Sequence, residues 1–230
     1  ESFQYIKYGK HLAGYVEERF FTEHRISIME VTRGDIYRLK ATLLKKEYFN
    51  TPSLINIIKK QEHAGSLNTL LAIINSRLMS WYHTKAHSKA NAETSIPKIL
   101  VKDLRSLPII PEDKNLAQKA DLMLSLNEQL QDLTGKFIRT LQRKFEIEKL
   151  SKKLENWHEL TYAEFIKELA KKKVKMSLSE EAEWEEYFLA EQAKAQQLML
   201  QIENTDKEID QMVYKLYDLT DDEIAIIEAS

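Results

Sequence analysis

The fold is decided by residues 66 to 111, which read SLNTLLAIINSRLMSWYHTKAHSKANAETSIPKILVKDLRSLPIIP. In the first half of this stretch, apolar residues recur at three- and four-residue steps, which predicts one amphipathic helix. The apolar face consists of Leu67, Leu70, Leu71, Ile74, Leu78, Trp81 and Tyr82. The opposite, polar face carries Asn75, Arg77, His83 and Lys85. Pro108 and Pro111 then end one domain and precede a long helical region.

The chain changes character near residue 110, which predicts a domain boundary there. All four prolines and four of the five glycines lie at or before residue 111, and only Gly135 follows. Since Gly and Pro mark turns and short elements, residues 1–110 are predicted to form a mixed α/β domain and residues 111–230 long helices. The predicted fold class is α+β, in which the N-terminal mixed α/β domain precedes a long antiparallel, coiled-coil-like helical pair with short connecting helices.

Two apolar stripes with mostly three- and four-residue steps support the helical prediction. The first consists of Leu116, Met123, Leu126, Leu130, Leu133, Phe137, Leu141 and Phe145. The second consists of Trp184, Phe188, Ala195, Leu198, Ile202, Thr205, Ile209, Met212 and Leu216. Helix starts are predicted at Thr161, Ser177 and Thr220, because the first two are followed three residues later by a glutamate and the third precedes a run of acidic residues.

The two halves of the chain also differ in charge. Residues 1–108 hold 17 Lys and Arg against 10 Asp and Glu, a balance of +7, together with five of the six histidines. Residues 109–230 hold 17 against 26, a balance of -9. Because contacts to a polyanion depend on local rather than net charge, the front half is the expected nucleic-acid surface. Chance variation between two solvated surfaces is the alternative.

A β-hairpin with one basic face is predicted from residues 25–44. Arg25 to Val31 alternates polar and apolar residues, Thr32 to Asp35 reads as a turn, and Tyr37 to Leu44 alternates again. The face would present Arg33, Arg38, Lys40, Thr42 and Lys45 to a DNA groove, where Lys and Arg hold phosphates or read guanine edges. An ordinary solvated strand face is the alternative. The apolar run Leu54 to Lys60 fits either a strand or a short helix.

The segment from His83 to Asn91 is the first choice for a loop that contacts DNA. It combines cations and hydroxyls and carries no acidic residue. His83 and His87 stand four residues apart and could flank a metal on a helix, but no third ligand is near in the sequence, so no metal site is predicted. The complete predicted DNA-binding set is Arg33, Arg38, Lys40, Thr42, Lys45, Arg77, His83, Lys85, His87 and Lys89.

Composition limits the remaining possibilities. With 230 residues, 27.0 kDa and 43% hydrophobic residues, the chain can form one large or two small globular domains. The absence of cysteine fits a cytoplasmic location, and we expect neither a leader nor a membrane span. Because the sequence starts at Glu1 without an initiator methionine, we expect it to be part of a longer polypeptide.

The order of these segments is similar to that of a known family. INSRL with trailing aromatic residues, then PKILVKDLRSLPI before a long helix, resembles the TaqI-like C-terminal specificity domain of type IIG restriction and adenine-methyltransferase polypeptides. The specificity subunits of type I systems are more distant relatives. The likeness includes YGKHLAGYVEERFF, RISIMEVTRGDIYRLKAT and TDKEIDQMVYKLYDLTDDEIAIIE, and thus covers nearly the whole chain.

The resemblance implies a double-stranded DNA target-recognition domain over residues 1–110 and a helical spacer over 111–230. The partner would be a catalytic methyltransferase or nuclease module of the same polypeptide, into which a target adenine is flipped. That module would use S-adenosylmethionine, with Mg²⁺ as a further candidate cofactor. Whether the parent carries a nuclease stays open, since a methyltransferase of the same broad family without one is an alternative.

The chain itself is predicted to be non-catalytic and to bind no cofactor. It has no glycine-rich phosphate loop, no Gly-x-Ser-x-Gly elbow and no His-Glu-x-x-His motif. The aminomethyltransferase motif Asn/Asp-Pro-Pro-Tyr/Phe is also missing, because no two prolines are adjacent. The alternative function is a protein-interaction module whose helical pair binds a partner coiled coil.

Overall fold

The computed structural model describes residues 8–11, 14–31, 37–60, 62, 65–87, 98–110 and 112–230. The chain divides into two compact units. Unit 1 is Glu1–Ala120 with Ile209–Ser230, and unit 2 is Asp121–Glu208. In the described part of the chain, every helix is too short or too polar to cross a lipid bilayer. The predicted α+β class with long helices is confirmed.

Unit 1 contains a three-stranded antiparallel sheet of β1 (Arg25–Met29), β2 (Ala41–Leu44) and β3 (Leu54–Ile58), in the order β2-β1-β3. The predicted pairing of the first two strands is confirmed, with Ser27 opposite Thr42. Strand β2 is shorter than predicted because residues 37–40 are not in a strand. The predicted turn at 32–35 lies outside the described residues. The apolar run that begins at Leu54, for which the sequence allowed a strand or a short helix, forms the strand β3.

Strand β1 is buried on both faces, including its polar residues. Ile26 and Ile28 lie in the core, and Ser27 donates a 2.6 Å hydrogen bond to the side chain of Asn56 on β3. The buried guanidinium of Arg25 donates to the carbonyl oxygens of Glu23, Lys46 and Tyr48. These bonds satisfy the two terminal nitrogens of the buried cation and hold the segment after β2 against β1.

Unit 1 also contains helices. They are α1 (Arg19–Thr22), α2 (Leu67–Asn75), α3 (Arg77–His87), α4 (Val101–Arg105), the first residues of α5 (Lys114–Phe145), the last turns of α8 (Leu178–Leu216), and α9 (Asp221–Glu228). Helices α1 and α2 pack on the sheet, and α9 packs against α3. Thr220 and Glu223 form a capping box at the start of α9, as the sequence predicts.

The single helix predicted over residues 67–82 is in fact two helices with a break at Ser76. Ser76 has an extended backbone, with ψ at 153°. Its hydroxyl donates to the carbonyl of Ile73 and accepts from the backbone N–H of Met79, so it ends α2 and caps α3. Serine side chains favour such local bonds at helix ends, which explains the break within an unbroken apolar pattern.

Polar side chains of α2 and α3 form hydrogen bonds with the outer backbone edge of β2 and of the residues before it. Asn75 accepts from the N–H of Ala41 and donates to its carbonyl, at 2.8 and 3.0 Å. Ser80 accepts from the N–H of Leu39 at 3.1 Å. An outer strand normally leaves such groups open to pairing with another chain, and here α2 and α3 satisfy them. The predicted polar face of this region therefore turns inward at Asn75.

Unit 2 is a helical assembly around an aromatic core. Residues 121–145 of α5 run antiparallel to residues 178–208 of α8, since Phe145 packs on Trp184 and Phe137 on Phe188. Between them lie α6 (Lys152–Glu155), a 3-10 turn (Trp157–Glu159) and α7 (Tyr162–Lys171). The described members of both predicted stripes are buried or half-buried. A coiled-coil type of packing stays a prediction.

The helix starts predicted in unit 2 are confirmed in detail. Thr161 and Glu164 form a capping box at α7. Ser177 and Glu180 make the same reciprocal bonds at the start of α8, where Ser177 N–H donates to the Glu180 carboxylate at 3.0 Å and Glu180 N–H donates to the Ser177 hydroxyl at 3.3 Å. Bonds to Thr161 and Ser177 lower the pKa of Glu164 and Glu180.

Candidate nucleic-acid interface

The structure separates the ten predicted DNA-binding residues into four groups by exposure. Arg33 and Lys89 lie outside the described residues. Those with exposed side chains are Lys40, Thr42, Lys45 and Lys85. Those that are half-buried are Arg38, Arg77 and His87. His83 is buried, with 1% of its surface exposed.

Strand β2 and the residues beside it carry one exposed polar face. Lys40 and Thr42 are exposed, whereas Leu39 is buried and Ala41 is half-buried. This alternation follows from the two-residue period of an extended chain. The backbone N–H groups of Leu39 and Ala41 bond to side chains of α3 and α2. Lys45, just beyond the end of β2, is also exposed. The arrangement leaves these side chains accessible to a polyanion.

The second group of cations lies at the C-terminal end of α3. Lys85 and His87 occupy its last turn, where the partial negative charge of the helix end favours cations. His87 joins this end to α4, since its Nδ1 lies 3.5 Å from the Asp103 carboxylate and its Nε2 lies 3.2 Å from the Ser106 hydroxyl. Helix α4 adds the exposed cations Lys102 and Arg105. The predicted set did not include those two residues.

A buried histidine lies behind this end of α3. The rings of His83 and His87 are 5.2 Å apart, and neither ring nitrogen of His83 has a hydrogen-bond partner among the residues that the structure describes. Burial is the main cause that lowers the pKa of His83 to about 4. The nearby Arg38 and His87 also lower it, and Asp103 opposes this shift. His83 is therefore neutral near pH 7 and enclosed by protein. The prediction that it contacts DNA does not fit this placement.

Arg38 lies close enough to this histidine to influence it. Burial is the main cause that lowers the pKa of Arg38, and the carboxylate of Asp103 opposes it. The same carboxylate is buried and lies beside His87. Asp103 therefore acts electrostatically on Arg38 and also lies beside His87 on α3.

Ser106, His87 and Asp103 follow one another in the order of a serine nucleophile, its base and an orienting acid. The geometry is not that of an activated serine, because the Ser106 hydroxyl donates to the carbonyl of Asp103 at 2.7 Å. The 3.5 Å separation of His87 and Asp103 also exceeds a normal N–H to O hydrogen bond. We interpret the three residues as a structural link between α3 and α4.

Arg77 is engaged by the C-terminal part of unit 1. Its backbone N–H donates to Oδ1 of Asp210 at 2.8 Å, and its guanidinium donates to the carbonyl of Glu228. Oδ2 of Asp210 accepts from the Tyr37 hydroxyl at 2.8 Å. The guanidinium of Arg77 therefore bonds within the protein, and its contact with DNA stays a prediction.

Two further features were tested as sites. In the described ranges, no cluster of three or more His, Asp or Glu side chains could hold a metal ion. A groove of 660 Å³ lies between Tyr15, Phe49 and Leu100. Its amides bond to each other, because Asn56 donates to Asn50 at 2.8 Å. The walls are mainly apolar, and we assign this groove no ligand.

The two parts of the chain match two different family models. Residues 2–109 match the model of the TaqI-like C-terminal specificity domain, and residues 110–213 match the model of a domain of unknown function, DUF8810. No curated protein and no solved structure matches the chain. The first match contains all ten predicted DNA-binding positions. A specificity domain recognises DNA sequence in restriction-modification, so the match indicates DNA binding for this part of the chain.

Proposed function

We propose, on the premise that residues 2–109 match a TaqI-like specificity domain, that this chain recognises a specific double-stranded DNA sequence. The parent protein would be a type IIG restriction-modification or adenine-specific DNA methyltransferase polypeptide, related to type I specificity subunits. The match is the single observation that carries the proposal. Charge supports it, because residues 1–108 have a balance of +7.

The exposed cations of unit 1 have the chemistry that such recognition needs. Lys40, Lys45 and Lys85 are exposed, and α4 adds Lys102 and Arg105. Lysine ammonium groups bind phosphate oxygens as point charges and fix the register of the protein on the duplex. Arg105, with its planar guanidinium, can also form paired hydrogen bonds to a guanine edge. Phosphate contacts would give affinity and base contacts specificity.

In this proposal the chain performs no chemistry on DNA. A catalytic module of the same polypeptide would bind S-adenosylmethionine and receive the flipped adenine, with Mg²⁺ used where the module also cleaves DNA. Residues 111–230 would set the distance between recognition and catalysis. This spacer role is supported by α5 and α8, each of which contributes residues to both compact units.

A protein-interaction function is the second candidate, and exposed apolar residues on α8 favour it. Leu189 is 49% exposed and Leu200 is 57% exposed. They are eleven residues apart, which is close to three helical turns, so they share one face. A partner helix could cover that face. This function leaves the basic character of residues 1–108 unexplained, so we place it second.

Changing Lys85 and Lys89 together to Ala is expected to weaken DNA binding and its salt dependence. Lys85 is exposed in the last turn of α3, and Lys89 lies two residues beyond its end, outside the described residues. Each phosphate contact contributes about 0.9 to the slope of log affinity against log salt. The variant should therefore lose about two units of slope, measured by fluorescence anisotropy on a random-sequence 30-bp duplex.

The matched control changes Lys149 and Lys152 to Ala. Both are exposed lysines in unit 2, so the change removes the same charge from a surface that the proposal does not use. Its slope should equal that of the wild type. If the Lys85 and Lys89 variant keeps the wild-type affinity and slope, the end of α3 is not part of the DNA surface.

A further inference from the structure

One buried carboxylate ties together two segments that carry predicted DNA-contacting residues. Asp210 lies in the last turns of α8, within unit 1, and is 7% exposed. Its Oδ1 accepts from the backbone N–H of Arg77 and its Oδ2 from the hydroxyl of Tyr37, both at 2.8 Å. Each oxygen therefore holds a different part of the recognition unit.

The first bond holds the start of α3. Arg77 is the first residue of that helix, so its N–H has no partner within the helix. Ser76 already binds the N–H of Met79, and Asp210 supplies an acceptor for Arg77. A negative charge at a helix N-terminus is also favoured by the helix dipole. Lys85 and His87 lie in the last turn of the same helix.

The second bond holds the segment that leads into β2. Tyr37 precedes Arg38 and Lys40, two of the predicted DNA-contacting residues. The links from Tyr37 to Asp210, Leu39 to Ser80, and Ala41 to Asn75 are two residues apart along the chain. They form a row along one edge of residues 37–41. Lys40 and Thr42 consequently remain exposed.

We propose that Asp210 is a positioning residue for DNA recognition, an inference that rests on the proposed function. It fixes the first turn of α3 relative to residues 37–40, so the cations of the two segments keep one spacing. The C-terminal segment then belongs to the recognition unit although it lies outside the matched residues 2–109. The bond from the Tyr217 hydroxyl to the carbonyl of Pro108 joins the same segment to the front of the chain.

The test compares Asp210→Ala, Asp210→Asn and the control Gln211→Ala, an exposed neighbour on α8. Amide hydrogen exchange without DNA is the first readout. Loss of a hydrogen bond to a charged group should raise exchange in residues 77–80 by about 10-fold in Asp210→Ala. Asparagine keeps an acceptor for Arg77, so Asp210→Asn should show a smaller increase. Unchanged exchange in both variants would overturn the proposed anchor.

DNA binding is the second readout, at a temperature where all variants are folded. The probes are a 30-bp duplex carrying the motif that the wild type enriches and a random-sequence duplex of equal length. Asp210→Ala should lose about 10-fold in affinity for the enriched duplex with an unchanged salt slope, because no phosphate contact is removed. Asp210→Asn should lose less affinity for the enriched duplex than Asp210→Ala does.

The two possible failures give different results. If the wild type binds the enriched duplex and Asp210→Ala binds it equally well, Asp210 does not position the site and only this inference fails. If the wild type binds neither duplex, the proposed DNA-recognition function fails, and the positioning role fails with it. Should Asp210→Ala not fold, Tyr37→Phe removes the second bond. This variant is expected to lose affinity for the enriched duplex by a smaller factor.

Discussion

Phe137→Ala is expected to destabilise unit 2 by about 3–5 kcal/mol, the usual cost of removing a buried aromatic ring. The ring is 0% exposed and stacks on Trp157 with 3.7 Å between ring centroids. It also contacts Phe165 and Phe188, so one ring joins α5, the 3-10 turn, α7 and α8. Urea unfolding followed by tryptophan fluorescence should show an earlier midpoint, since Trp157 and Trp184 lie in this core.

The control for this change is Leu189→Ala on α8. Leu189 is 49% exposed, so its truncation should cost less than about 0.5 kcal/mol. Leu133 is a weaker test than Phe137, because the structure leaves it half-buried. A Phe137→Ala protein with the wild-type midpoint would show that the aromatic core does not hold the two long helices together.

The second large effect is a loss of stability on acidification that depends on His83. Burial holds the pKa of His83 at about 4 in the folded state, against an ordinary value of 6.5. Between these values the unfolded chain binds more protons than the folded chain, so stability falls as the pH decreases from 6.5 towards 4. The expected contribution between pH 7 and pH 5 is about 2 kcal/mol. Urea unfolding at both pH values measures it.

His83→Gln removes this titration and should flatten the pH dependence by that amount. His24→Gln is the control, because His24 is exposed and its replacement should leave the dependence as in the wild type. Burial also lowers the pKa of His158, which lies in unit 2, and its contribution is present in all three proteins. Equal pH dependence in wild type and His83→Gln would contradict a buried, neutral His83.

The sequence predicted those parts of the fold that depend on local patterns. The stripe containing Phe137 and the capping pairs at Thr161 and Ser177 require only helical spacing and neighbouring side chains. The break at Ser76 was not predicted because the apolar spacing continues through it. The Ser76 hydroxyl ends α2 by donating to the Ile73 carbonyl, and a pattern of apolar residues does not reveal such a hydrogen bond. Periodicity predicted the apolar face correctly, but not the inward placement of Asn75 and His83 or the break in the helix.

The candidate site was less predictable because distant residues determine it. Arginine is a common DNA-contacting residue type. The environment of Arg77, however, includes Asp210, which lies 133 residues further along the chain. His83 lies on the polar side of a helical pattern, yet Arg38, His87 and Asp103 surround it. Lys102 and Arg105 were not among the predicted DNA-binding residues, although both are exposed on α4. Residue type alone selected the candidate side chains, and tertiary contacts decide which of them are exposed.

Selection from a pool of random duplex DNA, across a salt series and with sequencing of the retained molecules, tests the central claim most directly. We expect binding that weakens as salt increases and a short enriched motif. Enrichment should persist at the highest salt that still permits binding, because base contacts and not phosphate contacts provide specificity. No binding to any duplex at low salt would contradict DNA recognition and favour the protein-interaction function.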